Sequence, residues 1–287
     1  MVVLVTGGNG QLGQSLQYIS KNYSEIQFVF CSSSELDITD KLQCEKVFQQ
    51  YKPDYCINAA AYTAVDKAES DIEKATAINV IGPKNLAEVC KERGIVLIHV
   101  STDFVFDGSK TTPYTETDQP NPTGVYGQTK LDGERAIQSV FDYYYIVRTS
   151  WVYSQFGGNF MKTMLRLASE RDSLSVVNDQ IGTPTNAVDL AEALVKIVQC
   201  NALEGISNYG IYNYSNEGVC SWFDFAKKIF EVNTVTIDLN PIPSSSYPTP
   251  AKRPAYSVLD KSKIKESFNI CIKNWEENLL MQIKSNY

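Results

Sequence analysis

The sequence has a single histidine, His99, and seven cysteines that are scattered without any C-x-x-C pair. An odd number of isolated cysteines argues against a disulfide framework and against a cysteine-bound zinc ion, so no metal site is predicted. The cysteines are expected to be core residues of a protein in a reducing compartment. His99 lies in the apolar run GIVLIHVS, which favours a strand residue over a catalytic or metal-binding role.

The chain also lacks an excess of positive charge and any long apolar run. Its 26 lysines and arginines are outnumbered by 33 aspartates and glutamates, giving a formal charge of −7, which argues against nucleic acid as a partner. No apolar run approaches the ~18 residues that span a bilayer, so no membrane partner is expected. The opening MVVLVTGGNG has no basic segment before its apolar residues, unlike a secretory signal. We expect a cytoplasmic protein.

What the chain does contain is an alternation of short apolar runs with longer amphipathic segments. This alternation predicts an α/β fold, a Rossmann-type doubly wound parallel sheet covered by helices on both faces. Strands are predicted at 2–6, 26–31, 54–60, 94–101 and 143–150, and helices at 10–21, 40–51, 70–92, 126–139, 157–171 and 186–200.

The rhythm of the sequence changes after residue 150, which suggests two parts. Residues 1–150 are predicted to form a dinucleotide-binding domain, to which 186–210 returns. Residues 151–185 and 211–287 are predicted to form a smaller α/β substrate-binding lobe on the C-terminal side. The Pro- and Ser-rich stretch 241–254 is expected to be an ordered loop.

The first predicted strand runs into TGGNGQLG, in which Gly7, Gly10 and Gly13 are spaced three apart. Glycine permits a tight turn and a close approach of the backbone to a ligand, and the N-terminus of the following helix attracts a pyrophosphate. A strand before the glycines and a helix after them make dinucleotide binding the favoured interpretation over a turn without a ligand.

The end of the second strand reads FCSSSELDITD, with small uncharged residues where NAD-preferring sites place an acid. This favours NADPH, with NADH tolerated, although no arginine stands there to hold a 2′-phosphate. Asp37 is expected either to cap the next helix or to bond the adenine amino group. After the third strand, small residues up to Ala61 would let a cofactor cross the sheet edge, and Tyr62 and Thr63 would line the mouth.

Tyr126 and Lys130 lie four positions apart in TGVYGQTKLDGE, so a helix would point both the same way. A nearby ammonium and a bound nicotinamide cation both favour the phenolate, which would lower the pKa of Tyr126 toward the working pH. Thr102, at the end of the fourth strand, would lie at the carboxyl edge of the sheet, where its hydroxyl can bond a substrate carbonyl. Together these residues predict a catalytic tyrosine rather than an ordinary helix start.

With these motifs in place, the chain resembles the extended short-chain dehydrogenase/reductase family, and within it the nucleotide-sugar reductases. The matching pieces cover nearly the whole chain in order: TGGNGQLG, LDITD, NAAAYTAVDKAE, STDFVFDG, PTGVYGQTKLDGE, RTSWVY, DQIGTPT and KRPAYSVLD. The resemblance implies a catalytic set of Thr102, Tyr126 and Lys130. It also implies a cofactor set of Gly10, Gln11, Leu12, Asp37, Ile38, Ala61, Tyr62 and Thr63, and substrate contacts from Thr102, Asp103 and Trp151.

Some assignments keep an alternative. Trp151 would pack on a sugar or base face, or else be a buried structural residue. Arg253 and Lys252 are candidates for the substrate diphosphate, or else solvated loop charges. Asn79 would support the lysine through water, or be a structural helix amide.

The resemblance implies reduction, with NADPH, of the C4 ketone of dTDP-4-dehydro-L-rhamnose. The related 4,6-dehydratases use an acidic pair after the threonine, whereas here Phe104 follows Asp103, which favours simple reduction. A second alternative is a non-catalytic regulator, since the NADP-binding regulatory subunit of methionine adenosyltransferase resembles these reductases. A monomer or a homodimer is expected. Some family members bridge a dimer through Mg²⁺ with a glutamate after the glycines, where this chain has Gln14 and Ser15.

Overall fold

The computed structural model describes residues 1–284, whose largest element is a sheet of six parallel strands in the order β10-β5-β4-β3-β1-β2. Parallel strands require long crossovers, which this chain makes through helices. The strands are β1 (Val2–Thr6), β2 (Gln27–Cys31), β3 (Tyr55–Asn58), β4 (Val96–Thr102), β5 (Tyr144–Thr149), β6 (Val152–Tyr153), β7 (Ser173–Val177), β8 (Ile181–Gly182), β9 (Thr185–Asn186), β10 (Gly210–Asn213), β11 (Cys220–Ser221) and β12 (Asp238–Ile242).

Helices cover both faces of this sheet. The helices of the described residues, including those outside this sheet, are α1 (Gln11–Ser20), α2 (Lys41–Tyr51), α3 (Val65–Ala68), α4 (Ile72–Thr76), α5 (Gly82–Arg93), α6 (Val125–Val140), α7 (Phe160–Glu170), α8 (Ala187–Glu204), α9 (Trp222–Val232), α10 (Ser262–Phe268) and α11 (Trp275–Lys284). Because side chains of a strand alternate between faces, Val3 and Val5 of β1 pack with α1 and α8, whereas Leu4 packs with α2 and α5. The doubly wound parallel sheet is therefore confirmed.

The predicted helix over 70–92 is interrupted. A π-helical turn (Ala77–Ile81) separates α4 from α5, and Pro83 occupies the first turn of α5. Single π-helical turns occur often at functional sites, because the extra residue changes the direction of the side chains around it. Here the turn carries the buried amide of Asn79.

The boundary expected at residue 210 falls inside the main sheet. Strand β10 pairs with β5, and α10 packs into the same apolar core as α8, so these segments adjoin the sheet rather than the lobe. Sequence reasoning missed β10 because its four residues, GIYN, form too short a run to stand out. The division into a dinucleotide-binding domain and a substrate-binding lobe stays a prediction, with this boundary moved.

The remaining elements form a second, smaller core around α7, α9 and α11. Strand β12 pairs with β7 in parallel and includes Pro241 and Ile242. The prediction that the loop begins at residue 241 was therefore wrong for these two residues. Proline is tolerated there because a two-stranded ribbon leaves its outer edge unpaired. Helix α7 begins after Asn159, whose side chain accepts a hydrogen bond from the Lys162 amide and caps the helix.

All seven cysteines are free, and six are buried as expected. Cys271 is exposed, so its assignment to the core was wrong. His99 is a buried residue of β4, which confirms the strand prediction. Among residues 1–284, no helix combines the length and the apolar character needed to cross a membrane.

The strand order creates a crevice at one place. The chain passes from β1 to β2 on one side, then returns to place β3 on the other side of β1. The connections leaving the carboxyl ends of β1 and β3 therefore diverge, which is where ligands bind in open parallel sheets. The glycine turn follows β1 and the segment Ala59–Thr63 follows β3, so both predicted cofactor motifs meet at this crevice.

Candidate active site

The glycine turn is packed too tightly for side chains at two of the three glycines that are spaced three apart. Gly7 has a φ of +65°, and a Cβ there would lie 2.8 Å from the Ala60 nitrogen. A Cβ at Gly13 would lie 2.3 Å from the Gly7 carbonyl oxygen. At Gly10, by contrast, the only nearby protein atom is that same oxygen, at 3.1 Å. Protein packing therefore explains Gly7 and Gly13, whereas Gly10 leaves space at the start of α1 that suits a ligand pyrophosphate.

The two other residues predicted in this turn face the protein. Gln11 donates to the Val152 carbonyl over 3.1 Å and accepts from Asn159 over 2.8 Å, so its side chain joins α1 to the segment after β5. Leu12 is half-buried against the core under α1. Gln14 and Ser15 donate to the Asn9 and Gln11 carbonyl oxygens. The side chains that stand in place of the metal-bridging glutamate are thus used inside the turn.

An acid does lie at the end of β2, which sequence reasoning missed. The Glu35 carboxylate accepts from the Ser32 backbone amide over 2.8 Å and from the Ser32 hydroxyl over 2.6 Å. These hydrogen bonds lower the pKa of Glu35, which is therefore ionised near neutral pH. The S-x-x-E spacing from Ser32 to Glu35 is the pattern of a carboxylate that turns back to a serine, and it was the available signal. The prediction of an uncharged strand end was wrong.

Asp37 does not cap the next helix. Its carboxylate accepts from the backbone amide and hydroxyl of Thr39, while Asp40 caps α2 by accepting from the Gln43 amide. Asp37 is exposed, which leaves the adenine-bonding alternative as a prediction. Ile38 is buried against α5, so its side chain belongs to the core.

The segment after β3 is held in place by a buried amide. Asn79 accepts from the Tyr62 backbone amide over 2.8 Å and donates to the Tyr62 carbonyl over 3.2 Å. Asn79 therefore fixes the backbone of the segment, and it makes no direct hydrogen bond to Lys130. The Tyr62 ring is buried among residues of α4 and α6, so protein covers most of this side chain, and its contact with a cofactor stays a prediction. Ala61 is half-buried and Thr63 is exposed at the crevice.

Helix α6 approaches the sheet closely because it has glycine where it touches other backbone. A Cβ at Gly127 would lie 2.2 Å from the Phe104 carbonyl oxygen, and one at Gly133 would lie 2.1 Å from the Asn79 carbonyl oxygen. The first turn is fixed by Glu69, whose carboxylate accepts from the Val125 amide over 2.9 Å. A carboxylate there also complements the positive end of the helix dipole. These contacts bring Tyr126 and Lys130 to the end of β4.

Tyr126 meets Thr102 and Asp103 at this edge. The Thr102 hydroxyl hydrogen-bonds the phenol and lowers its pKa, but burial dominates, and the pKa of Tyr126 is raised to about 12. Thr102 also donates to the Asp103 carboxylate over 3.0 Å. Burial raises the pKa of Asp103 to about 6, although Ser257 and Thr102 hydrogen bonds oppose that rise. We expected Lys130 to lower the pKa of Tyr126, but the side chains of the protein alone do not produce this effect.

Lys130 is buried and directed at β4 rather than at the phenol. Its ammonium nitrogen lies 2.7 Å from the Val100 carbonyl oxygen, to which it donates, and 3.3 Å from His99 Nε2. Burial lowers the pKa of Lys130 to about 8, against an opposing contribution from Glu134. The predicted pairing of the two residues on one face of α6 is present, but the lysine reaches deeper than the tyrosine.

The two predicted substrate residues outside this cluster already have partners. Trp151, with a φ of +46°, stacks on Trp222 at 3.6 Å between ring centroids, so one of its faces is covered. Arg253 forms two hydrogen bonds to the Asp66 carboxylate, over 3.0 and 2.8 Å. This ion pair joins the segment before α10 to α3, and Lys252 beside it is exposed. Contact of Trp151 or Arg253 with a substrate stays a prediction.

The parallel sheet, the glycine turn at its crevice and the Thr102, Tyr126 and Lys130 cluster define the class. The protein is an NAD(P)H-dependent oxidoreductase with a Rossmann-type fold of the extended short-chain dehydrogenase/reductase kind.

The comparisons with known proteins narrow this class. The family model described as RmlD substrate binding domain matches residues 1–287. The dTDP-4-dehydrorhamnose reductase of Aggregatibacter actinomycetemcomitans is 42% identical over 284 residues, which cover 96% of each chain. A crystal structure of a dTDP-4-dehydrorhamnose reductase from Clostridium acetobutylicum has a TM-score of 0.93 and 41% identity, covering 100% of this chain and 99% of that one. One from Bacillus anthracis, in complex with NADP, has a TM-score of 0.92 and 38% identity, covering 99% of both chains.

The chain therefore belongs to the RmlD substrate binding domain family. The resemblance to nucleotide-sugar reductases that the motifs indicated is confirmed, and at its narrowest it is a resemblance to dTDP-4-dehydrorhamnose reductases.

The glycine turn makes a testable distinction between ligand and fold. Gly10→Ala should leave the protein folded but weaken NADPH binding by about tenfold or more, because the added methyl group occupies space that the pyrophosphate needs. Gly13→Ala is the matched variant, which should lower the melting temperature because its Cβ meets backbone. Calorimetric titration and thermal melting measure the two effects. Undiminished NADPH affinity in the Gly10 variant would contradict the cofactor assignment.

Asp103 should make stability depend on pH. Its folded pKa of about 6 exceeds the ordinary value of 3.8, so stability is lost as pH rises through that interval. Asp103→Asn, which keeps an acceptor for Thr102, should stabilise the protein above pH 6 by up to about 3 kcal/mol, and should give no gain below pH 4. Melting temperatures of both proteins across this range test the prediction. An equal difference at every pH would show that Asp103 ionisation is not its cause.

Proposed function

We propose that this protein reduces the C4 ketone of dTDP-4-dehydro-L-rhamnose with NADPH or NADH, giving dTDP-L-rhamnose. The observation that carries the proposal is the meeting of Thr102, Tyr126 and Lys130 with the glycine turn at one sheet edge. The relatives named dTDP-4-dehydrorhamnose reductase support the substrate. The seven free cysteines are consistent with a cytoplasmic location.

Each residue of the cluster has a defined task in this reduction. When bound, the nicotinamide supplies hydride to C4. Tyr126 gives its phenolic proton to the carbonyl oxygen, so that the C=O double bond becomes a C–O single bond, with one new C–H bond and one new O–H bond. The pKa of about 12 keeps the phenol protonated at neutral pH, as a proton donor requires. Thr102 lies beside the phenol, and its hydroxyl, which donates to Asp103 in the protein alone, would turn toward the developing oxyanion.

The surroundings of Tyr126 favour reduction over dehydration. Phe104 follows Asp103 in the chain and packs edge-on against the Tyr126 ring, with 5.5 Å between centroids. A phenyl group cannot transfer protons, so this position offers no second acid for eliminating water from the sugar. The buried Asp103 accepts a hydrogen bond from Thr102 beside the phenol, where it raises the pKa of Tyr126.

Glu35 bears on the choice of cofactor. In sites that prefer NAD, an acid at the end of the second strand bonds the ribose 2′-hydroxyl, and a 2′-phosphate is repelled by that charge. The carboxylate of Glu35 accepts a hydrogen bond from the Ser32 amide just after β2, which supports a position near that ribose. NADP bound to the Bacillus anthracis relative supports use of NADPH. We therefore propose that both cofactors are accepted, and that Glu35 limits the preference for NADPH.

The cofactor proposal predicts the effect of one substitution. Glu35→Gln removes the negative charge and keeps the shape, so NADPH affinity should rise by about threefold to tenfold, as expected for one exposed charge. NADH affinity should fall slightly or stay unchanged. Dissociation constants of both cofactors, measured by calorimetry, test this. If their ratio does not move, Glu35 does not face the 2′-position.

The proton-donor assignment predicts the effect of removing one oxygen. Tyr126→Phe should lower kcat for the dehydro-sugar by ~10²-fold or more, with little change in NADPH affinity, because the ring still packs. Tyr55→Phe is the matched control. It removes the hydrogen bond from Tyr55 to Asn201, far from the crevice. This variant should lose ~1 kcal/mol of stability and keep the wild-type kcat.

A spectrophotometric assay of NADPH consumption with dTDP-4-dehydro-L-rhamnose, with chromatographic identification of the product, tests the function itself. Near-wild-type turnover of Tyr126→Phe would contradict its role as the proton donor. No turnover by the wild-type protein, with intact NADPH binding, would favour the regulatory alternative.

A further inference from the structure

The single histidine of the chain lies between two groups that constrain where its proton sits. His99 is fully buried in β4. Its Nδ1 lies 2.9 Å from the side-chain nitrogen of Asn58, and its Nε2 lies 3.3 Å from the Lys130 ammonium nitrogen. Neither contact was anticipated from the sequence, because Asn58, His99 and Lys130 stand on three different elements.

The orientation of the Asn58 amide is fixed by its neighbours. Its oxygen accepts from the Thr6 hydroxyl over 2.6 Å and from the Ala60 backbone amide over 3.2 Å. A backbone N–H can only donate, so the oxygen of Asn58 must face it, and the NH₂ group must face His99. Since that NH₂ group has only hydrogens to offer, His99 Nδ1 must accept.

An imidazole that accepts at Nδ1 carries its hydrogen on Nε2. That N–H points at Lys130. A charged lysine is a donor only, so an ammonium would place two donors against each other at 3.3 Å. A neutral amine removes the conflict, because its lone pair accepts from His99 while one of its hydrogens still reaches the Val100 carbonyl oxygen at 2.7 Å.

We propose that His99, held by Asn58 as the Nε2–H tautomer, is a positioning residue that favours the neutral amine of Lys130 and so sets the pH at which this lysine becomes charged. The proposal rests on the proposed function only because Lys130 belongs to the catalytic set. It also implies that β1, through Thr6 and Asn58, is connected to the lysine by one buried chain of hydrogen bonds.

The charged groups around Lys130 agree with this arrangement. On its own helix, Glu134 raises the pKa of Lys130, but Glu134 is itself paired with Arg148 of β5 over 3.0 and 2.6 Å. From β4, burial holds the pKa of His99 well below its ordinary value, so the imidazole stays neutral. Asp103 and Tyr126 lie beyond the lysine at the sheet edge and interact with each other.

The tautomer can be observed directly because the chain has one histidine. In protein labelled with ¹⁵N-histidine, the two ring nitrogens give separable NMR shifts, and we expect the wild type to carry its hydrogen on Nε2. Asn58→Asp should invert this, since a carboxylate at Nδ1 accepts and cannot donate. Nε2 would then face Lys130 with its lone pair. Finding the Nδ1–H tautomer in the wild type would overturn the proposal.

The consequence for Lys130 is measured in the same full-length protein with lysine labelled by ¹³C at Cε, with Lys130→Met assigning the resonance. Asn58→Asp should raise the proton affinity of Lys130 by about tenfold or more, equivalent to about 1.4 kcal/mol. In a His99→Leu background the same substitution should have a much smaller effect, because the imidazole that transmits it is gone. Melting curves identify any variant that fails to fold.

Two results count against the proposal. An equal rise in both backgrounds would mean that simple attraction between the new carboxylate and Lys130 accounts for it, and no rise in either would mean that the tautomer does not govern the lysine. Should His99→Leu fail to fold, the ¹⁵N shifts still decide, since the Nδ1–H tautomer in the wild type overturns the proposal, and so does an Asn58→Asp titration without any rise. None of these measurements uses turnover, so the failure of the reductase function would leave their outcome unaffected.

Discussion

The close contact of α6 with the backbone at the end of β4 is the constraint on which the candidate site depends. Gly127 and Gly133 let this helix approach the Phe104 and Asn79 carbonyl oxygens at distances that any Cβ would prevent. With the helix displaced, the Tyr126 phenol would leave Thr102, and Lys130 would lose the Val100 carbonyl oxygen. The buried Glu134–Arg148 pair holds the same helix to β5. Removing either partner would leave an uncompensated buried charge, which makes the contact costly to open.

The crevice at β1 and β3 is built in a similar way, by backbone meeting backbone. Gly7 adopts a positive φ and touches the segment after β3, while Asn79 in the π-helical turn holds both backbone groups of Tyr62. Asn79 and Gly133 also meet each other. Asn79 therefore links the cofactor crevice to helix α6, and a displacement of the backbone at one of them would displace the other.

A set of buried polar groups lies close to that connection. Thr6, Asn58, His99 and Lys130 form a chain of hydrogen bonds across β1, β3, β4 and α6, and Thr102 and Asp103 close the carboxyl edge. Burial raises the pKa of Asp103 and lowers that of Lys130, so each group is less readily charged than in water. Buried titratable groups of this kind lower the stability of the fold, and their protonation is set by the neighbouring side chains.

The sequence by itself determined the alternation of strands and helices, the glycine turn and the Tyr126–Lys130 pair, because each is a local pattern. Hydrophobic periodicity, glycine spacing and helical spacing relate residues that are a few positions apart. They can therefore be recognised without knowing how the rest of the chain folds. The same locality explains why an acidic helix start was expected at Asp40, which is the N-cap of α2 and immediately precedes its first residue, Lys41.

Tertiary structure decided what those residues contact. The burial of Tyr62, the ion pair of Arg253 with Asp66 and the direction of Lys130 toward His99 all join residues whose relation the one-dimensional pattern did not reveal. Even β10 entered the sheet only through its pairing with β5, more than sixty residues earlier. A pKa likewise depends on burial and on the orientation of neighbouring donors, and both exist only once the strands and helices have packed.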